Sequence, residues 1–277
     1  MKLFKQASSL FAAITCYSTL VAGDAMAASS YSSDPERKTY LSFELGTSFS
    51  MDSNLDVPDG SANAAPGGGM WDAAPQGYGG DVGNSENTGV GFGYNATPLV
   101  SLELNYNSRD SFSYAKYQTP SPSSIGPRTR YFDLENESIM FNGVVHLDKV
   151  SERLKFSVGS LSISTFVDAG LGFSRNTVKN LHSVATNTGY VFSMMDSNTV
   201  TSPSYQMGFG VTTALDSFWE LRLGYRYFNG GEFKSSNYIN DDPDNLHPSN
   251  PGAGTLVPVW SGTLQANELY AKLAYHF

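Results

Sequence analysis

Two groups of residues have the types needed for nucleophilic catalysis. In the first, His182 is followed directly by Ser183. The second combines acids, a histidine and a serine, namely Asp241, Asp242, Asp244, His247 and Ser249. A histidine oriented by an acid can activate a serine hydroxyl. Nothing in the sequence fixes the geometry of either group, and segments rich in serine and aspartate contain such sets by chance, so we assign no catalytic residue.

An acidic run over residues 240–245 could bind a divalent cation through carboxylates. It lacks the alternating ligand positions and the glycine of an EF-hand loop. A solvated acidic loop is the simpler interpretation, with weak divalent binding left open. The single cysteine, Cys16, lies in the N-terminal segment, so the remainder of the chain has no thiolate ligands and no disulfide. We expect no metal and no cofactor.

Eight charged side chains share the polar face of segments in which apolar and polar residues alternate. Five are acids and three are bases: Glu44, Glu103, Asp168, Glu220, Glu268, Arg222, Arg226 and Lys272. If this face lines a narrow interior, the charges must pair, because an unpaired buried charge is costly. Such a network is either a plug that holds the structure closed or a gated ion path.

The alternation that positions these charges occurs in eight segments. A period of two is typical of strands with one apolar and one polar face. The segments are 40–49, 88–96, 99–107, 131–147, 161–173, 205–215, 218–228 and a C-terminal strand that ends at Phe277. In the fourth segment Phe132 and Leu134 have the opposite parity to Ile139 and Phe141, which predicts a bulge near 135–138 or a strand end leaving the membrane.

The connections between the segments alternate in length. Four are long (50–87, 109–130, 174–204 and 229–263), and three are shorter (96–98, 148–160 and 216–217). Long loops at one end and short turns at the other are typical of outer-membrane barrels. Exposed aromatic residues on polar loops often mark recognition surfaces, so the candidate contact residues are Trp71, Tyr78, Tyr114, Tyr117, Tyr190 and Tyr238.

The first residues have the features of a secretory signal. Lys2 and Lys5 precede an apolar stretch, and residues 25–27 form a small-x-small cleavage site. We therefore expect a signal peptide over 1–27, a short periplasmic segment over 28–37 and one barrel domain over 38–277. The net charge is −9 for the full chain, and this acidity argues against nucleic acid as a partner.

The fold class predicted is all-β, a transmembrane antiparallel up-and-down barrel of eight strands. The mean hydropathy is −0.26, and no apolar run of about 20 residues follows the signal, which argues against membrane helices. A barrel needs only every second residue to be apolar. A soluble β-sandwich would also alternate, but it explains neither export nor the loop asymmetry.

Three segments carry a resemblance to a known family. They are residues 166–173 (FVDAGLGF), 221–227 (LRLGYRY) and 268–277 (ELYAKLAYHF). The chain resembles the OmpA-like eight-stranded outer-membrane barrels, which include porin-like surface antigens, over nearly all of 38–277. The resemblance implies insertion by the outer-membrane assembly machinery, which would recognise Tyr275 and Phe277 in the terminal strand. It also implies contact with outer-membrane lipid and lipopolysaccharide, and a location in the cell outer membrane.

Three functions remain open from the sequence. The first is a monomeric, non-enzymatic surface protein whose loops act as adhesin or antigen and meet host-cell or matrix molecules. The second is a small porin or channel, which the charged interior would line. The third is a lipid-modifying outer-membrane enzyme, which would need His182 or His247.

Overall fold

The structure is a computed structural model that describes residues 37–56, 80–118, 128–159, 161–186, 188–189, 191–192, 194–241 and 259–277. Within them the chain is almost entirely β-structure. Its twelve strands are β1 Thr39–Ser50, β2 Asn84–Asn95, β3 Val100–Gln118, β4 Arg128–His146, β5 Lys155–Val158, β6 Leu161–Ala185, β7 Val191–Phe192, β8 Met194–Met195, β9 Asn198–Ala214, β10 Trp219–Lys234, β11 Ile239–Asp241 and β12 Ser261–His276.

Eight of these strands close into a barrel. Each pairs antiparallel with its neighbour in the order β4-β3-β2-β1-β12-β10-β9-β6, and β6 returns to β4. The first strand pairs with the last over Tyr40↔His276 to Ser50↔Ala266, so no long sheet edge is left open. The predicted all-β, eight-stranded barrel is confirmed.

The two ends of the barrel differ. At one end, called here the turn end, the connections are 96–99, 147–160 and 215–218. At the other, the loop end, they are 51–83, 119–127, 186–197 and 235–260. The Asp216 carboxylate accepts hydrogen bonds from the backbone N–H groups of Phe218 and Trp219, at 2.7 and 2.8 Å, which closes one tight turn.

The outside of the barrel carries a band of exposed apolar side chains, called here the belt. It follows from the period-two pattern, because alternate residues of each strand point outward. Its members come from all eight barrel strands and include Leu41, Phe43, Val90, Phe92, Leu102, Leu104, Ile139, Phe141, Leu171, Phe173, Met207, Phe209, Leu223 and Leu269. Aromatic residues such as Tyr106, Trp219, Tyr225 and Tyr275 also lie on this outer surface.

Beyond the belt the strands continue towards the loop end, and this part is called the loop-end wall. In β4 the outward residues change from Phe141 and Ile139 to Glu137, Glu135 and Asp133, while the even-numbered residues from Arg130 to His146 are all buried. Of the two explanations given for the change of parity, the bulge near 135–138 is therefore wrong, and a strand that leaves the membrane stays a prediction. The change of parity in the apolar pattern instead marks where the outside of the barrel becomes polar and the inside becomes apolar.

The loop-end wall encloses an apolar core. Its buried residues are Val82, Phe112, Tyr114, Phe132, Leu134, Met140, Val178, Leu181, Met195, Phe228, Phe233, Trp260, Leu264 and Ala266. Outside, charged pairs link β4 to β6: Glu137 with Arg175 at 3.2 Å and Glu135 with Lys179 at 2.5 Å. This arrangement is that of a water-soluble β-barrel, in contrast to the belt below it.

The loop-end wall contains three β-bulges. The pairing register shifts between Arg109 and Phe112 in β3 and between Asn229 and Gly231 in β10. A third shift lies in β6, at the residues that face Tyr131 and Asp133 of β4. Ser111, Asn180 and Gly231 adopt positive φ there, at 59°, 54° and 73°. All three bulges lie at the loop end, where extra twist redirects the strands.

Among the described residues, no helix is both long and apolar enough to cross a membrane.

Candidate functional site

The interior of the belt holds a network of buried ion pairs. Its acids are Glu44, Glu103, Glu220 and Glu268, and its bases are Arg109, Arg222, Arg226 and Lys272. Four carboxylates thus face four cations, so the network is neutral as a set. The period-two pattern brings them inside, because each lies on the inward parity of its strand.

The network is continuous from one end of the belt to the other. Near the turn end, Arg222 bonds both Glu220 and Glu103. The Lys272 ammonium then lies 2.8 Å from a Glu103 oxygen and 3.5 Å from a Glu44 oxygen. Acids and bases alternate along this series. The Glu220–Arg222 pair lies within β10, and the other pairs join different strands.

The loop-end half of the network centres on two arginines. Arg226 lies 2.5 Å from a Glu44 oxygen and 2.5 Å from a Glu268 oxygen. Arg109 binds both oxygens of Glu268, through Nε at 2.5 Å and Nη2 at 3.1 Å. Its Nη1 donates to Asn136 and Ser138, at 2.9 Å each. A two-pronged arginine–carboxylate pair of this kind is both strong and geometrically specific.

Neutral side chains satisfy the remaining hydrogen-bonding capacity of the carboxylates. The Tyr40 hydroxyl donates to Glu103 at 2.6 Å, and the Ser48 hydroxyl donates to Glu268 at 2.6 Å. Asn87 and Asn107 each donate to the same Glu44 oxygen at 3.0 Å. These additional hydrogen bonds favour one arrangement of the interior.

Of the eight charged residues predicted to point inward, the structure brings seven into this network. The eighth, Asp168, is half-buried and forms no salt bridge within the described residues. It lines a cavity of about 10 Å³ together with Asn105, Asn142 and Gln206. Each of the four has one side-chain atom without a hydrogen-bond partner. The cavity has room for roughly one water molecule, which could join these atoms.

Arg109 is a member of the network that the sequence analysis missed. We had ended the third strand at Asn107 and assigned residue 109 to a loop. Glu103, Asn105 and Asn107 are alternate residues that all point inward, and Arg109 is the next in this series. The sequence pattern therefore contained the information needed to find it. Arg130 is also buried, at the loop end of β4, and was likewise assigned to a loop edge.

The two strand-end histidines, His146 and His276, are buried inside the turn end. His276 Nε2 lies 3.2 Å from a Glu220 oxygen, and His146 Nε2 lies 2.9 Å from the Ser101 hydroxyl. The Tyr40 ring packs over that of His276, with centroids 4.9 Å apart. These contacts close the turn-end mouth with polar groups.

The pair His182 and Ser183 does not form a catalytic set. Both lie within β6 rather than in a loop, and adjacent strand residues point to opposite faces. Ser183 is buried inside the barrel, whereas His182 lies outside, where its ring stacks on Tyr131. His247 and Ser249 lie outside the described residues. No cluster of three or more histidine, cysteine, aspartate or glutamate residues with metal-site geometry occurs in the described ranges.

The predicted loop contacts have different outcomes. Tyr114, predicted as an exposed loop residue, is 1% exposed within β3 and stacks on Phe132 at 4.5 Å. That prediction is wrong because β3 extends to Gln118 and its inner face is apolar at this level. Tyr238 is exposed. Trp71, Tyr78 and Tyr190 lie outside the described residues, as does the side chain of Tyr117.

Segments of three loops cover the loop-end mouth. Met195, from the third loop, is buried in the apolar core, and β8 pairs with β11 of the fourth loop. The first loop contributes Val82, and its Asp56 forms a bridge to Ser261 at the start of β12. The interior is therefore closed at the loop end by apolar packing and within the belt by ion pairs.

The chain was compared with known proteins at the levels of sequence and structure. No protein-family model matches it, and no curated protein sequence matches it. Outer membrane protein OprG from Pseudomonas aeruginosa is 11% identical, with 87% of this chain and 96% of that chain covered and a TM-score of 0.49. Neisserial surface protein A is 16% identical, with 86% and 97% covered and a TM-score of 0.39.

A third similar structure is that of Ail, the attachment invasion locus protein of Yersinia pestis. It is 13% identical, with 84% of this chain and 99% of that chain covered and a TM-score of 0.28. The barrel architecture described above rests on the strand pairing of this chain itself.

Proposed function

We propose that the chain is a non-enzymatic outer-membrane barrel whose loops form a recognition surface outside the cell. The turn end faces the periplasm and the loop end faces outward, as expected for barrels with short turns and long loops. In this proposal residues 1–27 are a cleaved secretory signal, and the assembly machinery recognises Tyr275 and Phe277. Kinship with OmpA-like surface antigens is part of the proposal and rests on the three sequence segments given above.

The membrane location is supported by the belt. A soluble protein rarely exposes a contiguous apolar surface of this extent, whereas lipid requires one on a spanning barrel. The polar outer surface of the loop-end wall supports the same interpretation. Its charged pairs begin at Glu137 and Arg175, one outward step beyond Ile139 and Phe173, so the lipid boundary would lie between these two levels.

The interior is closed at two levels, by the ion pairs inside the belt and by the apolar core of the loop-end wall. This closure is the observation that favours the surface role over the channel role. An ion would have to separate buried pairs such as Arg226–Glu44 and Arg222–Glu103, which is costly in a low-dielectric interior. It would then meet the apolar core of the loop-end wall. The loops remain as the part of the molecule that is available to partners.

The charge of the loop end indicates the kind of partner. The described side chains on its outer surface include ten acids and four bases: Asp52, Asp56, Asp81, Glu86, Asp110, Asp133, Glu135, Glu137, Asp196 and Glu232 against Lys116, Arg175, Lys179 and Lys234. Such a surface repels polyanions and attracts cationic partners. Among host-cell or matrix molecules, we therefore favour proteins with basic surfaces over sulfated glycans.

Planar-bilayer recording tests the closed interior. We expect purified, refolded protein to give no steady conductance. A stable ohmic level whose ion selectivity changes in Glu268→Gln would instead support the channel. Heat-modifiable migration of the same sample on a gel shows that a folded barrel was present.

Loop deletion tests the recognition role. Removing residues 59–77 spares the contacts of Asp56, Gly80 and Val82 with the barrel. We expect bacteria that display this variant, or one lacking 244–256, to bind fewer host cells or less matrix than bacteria displaying the full chain. Equal binding by both deletion strains and the full-length strain would remove the loops as the recognition surface. We also expect the lipid profile of the cells to be the same with the full chain, with the His182→Ala variant and without the protein, because no enzymatic step is proposed.

A further inference from the structure

The connection between β4 and β6 is the exception among the turn-end connections. The other two are 96–99 and 215–218, whereas this one spans 147–160. It contains two short 3-10 helices, Leu147–Lys149 and Glu152–Leu154, and neither buries any residue. The strand β5 follows and pairs with the start of β6. Because its helices bury no side chain, packing into a core does not explain why this connection is longer than the other two.

The connection extends the apolar outer surface of the barrel. Phe156 pairs with Ile163 and Val158 pairs with Leu161, and cross-strand partners share one face of a sheet. Ile163 is in turn paired with Thr213, whose other partner is Leu221 of the outer face. Phe156 and Val158 therefore point outward, and both are exposed, Val158 to 60%. Val150 and Leu154, which precede them in the connection, are also exposed.

Basic residues accompany this apolar surface. Lys149, Arg153 and Lys155 all lie in the connection, and the carboxylate of Asp148 is largely buried and paired with Lys149 at 3.5 Å. The described turn end as a whole has five bases and three acids, Arg37, Lys38, Lys149, Arg153 and Lys155 against Asp148, Glu152 and Asp216. This balance is opposite to that of the loop end.

We propose that residues 147–158 form a lipid-binding element that inserts Phe156 and Val158 into the periplasm-facing leaflet and binds anionic phospholipid headgroups through Lys149, Arg153 and Lys155. The inference rests on the proposed membrane orientation. Apolar side chains insert into the edge of the lipid, and neighbouring bases attract anionic headgroups, so this combination favours binding to an anionic membrane surface. Long basic side chains can reach the headgroups while their stems cover apolar surface.

Site-directed spin labelling tests the insertion. The chain has one cysteine, Cys16, so a Cys16→Ser background accepts single labels at Val158→Cys, at Phe141→Cys in the belt and at Thr199→Cys in the loop-end wall. In phosphatidylglycerol–phosphatidylcholine vesicles we expect the label at 158 to be accessible to oxygen and protected from a water-soluble nickel chelate, as at 141. A label at 158 that is as accessible to the chelate as at 199 overturns the inference alone. A label at 141 that is equally accessible overturns the membrane orientation.

Lipid selectivity tests the bases. We expect spin-labelled phosphatidylglycerol to associate with the protein more strongly than phosphatidylcholine. Since each base near an anionic surface contributes about fivefold, the triple variant Lys149→Gln/Arg153→Gln/Lys155→Gln should lower this preference by up to roughly a hundredfold. The matched variant Lys149→Arg/Arg153→Lys/Lys155→Arg should retain it. An unchanged preference in the glutamine variant rules out headgroup binding by these residues.

Discussion

The guanidinium carbon of Arg109 lies 3.6 Å from the centroid of the Phe228 ring. The Nε and Nη2 edge of the same guanidinium is bound to Glu268. Arg109 is therefore the contact between two interiors of opposite chemistry, the ion pairs inside the belt and the apolar core of the loop-end wall. A cation over an aromatic face is favourable, and more so when both are shielded from water.

Replacing Arg109 should be among the most destabilising single changes in the interior. In Arg109→Ala, Glu268 keeps only Arg226 as a cationic partner, and breaking a buried pair costs about 3–5 kcal/mol. Arg175→Ala, which breaks the exposed pair with Glu137, should cost less than about 1 kcal/mol. Urea unfolding in lipid vesicles measures both. Replacing both partners, in Arg109→Met/Glu268→Met, should be milder than Arg109→Ala, and equal losses in the two single variants would contradict the proposed role of Arg109.

A charge introduced on the outer face should report where the belt ends. Leu171, 73% exposed, and Thr177 are on the same face of β6. Leu171→Arg places a cation in hydrocarbon and should lower the free energy of unfolding by about 2–4 kcal/mol. Thr177→Arg lies in the polar loop-end wall and should change it by less than about 1 kcal/mol. Similar losses at both positions would place the boundary elsewhere.

Truncating Leu134 should lower the stability of the barrel, whereas truncating its neighbour Glu135 in β4 should hardly change it. Leu134 is buried in the apolar core of the loop-end wall, so Leu134→Ala should cost about 2–5 kcal/mol through lost burial and a cavity. Glu135 points outward to the Lys179 ammonium, and Glu135→Ala should be nearly neutral. Protease sensitivity of the loops, together with unfolding, measures the effect. A neutral Leu134→Ala would mean that this part of the barrel has no packed core.

Deleting Phe277 should affect assembly more than stability. Its backbone N–H donates to the Thr39 carbonyl at 3.1 Å, but its ring is exposed, so little burial is lost from the folded barrel. We expect less heat-modifiable protein in the outer membrane of cells and unchanged unfolding of the purified, refolded variant. The matched variant Phe277→Tyr should assemble well. Normal assembly without Phe277 would exclude it as the signal.

The strand pattern predicted the barrel because its physical basis is simple. Lipid on one side and a polar interior on the other require alternation, and segments such as Leu41–Phe43–Leu45 show it directly. The same pattern placed seven of the eight charged residues where they pair. The pairing itself could not be read from the sequence, since it depends on the ring order that brings Arg226 of β10 to Glu44 of β1.

The errors concern the loop-end wall. The opposite parity of Phe132 and Leu134 was recognised in the sequence, but it was explained by a bulge or by a strand end, and not by an apolar face that changes from the outside to the inside of one continuous strand. Phe132, Leu134 and Tyr114 point inward because the inside of the barrel is apolar and its outside is polar at their level. The third strand was ended at Asn107, whereas β3 continues to Gln118, so Arg109 and Tyr114 were placed in a loop. Following the period of two further along each strand would have placed Phe132, Leu134, Tyr114 and Arg109 on the inward face.

The length of the loop-end wall has a consequence for how partners approach. In β4 it runs from Glu137 to Arg128, which at about 3.3 Å per residue and a tilt of about 40° corresponds to a height of roughly 20 Å. With the belt in hydrocarbon, the strands act as a rigid pedestal that lifts the loops clear of the lipid headgroups. A folded domain could therefore approach the loops from the side as well as from above, without having to displace lipid.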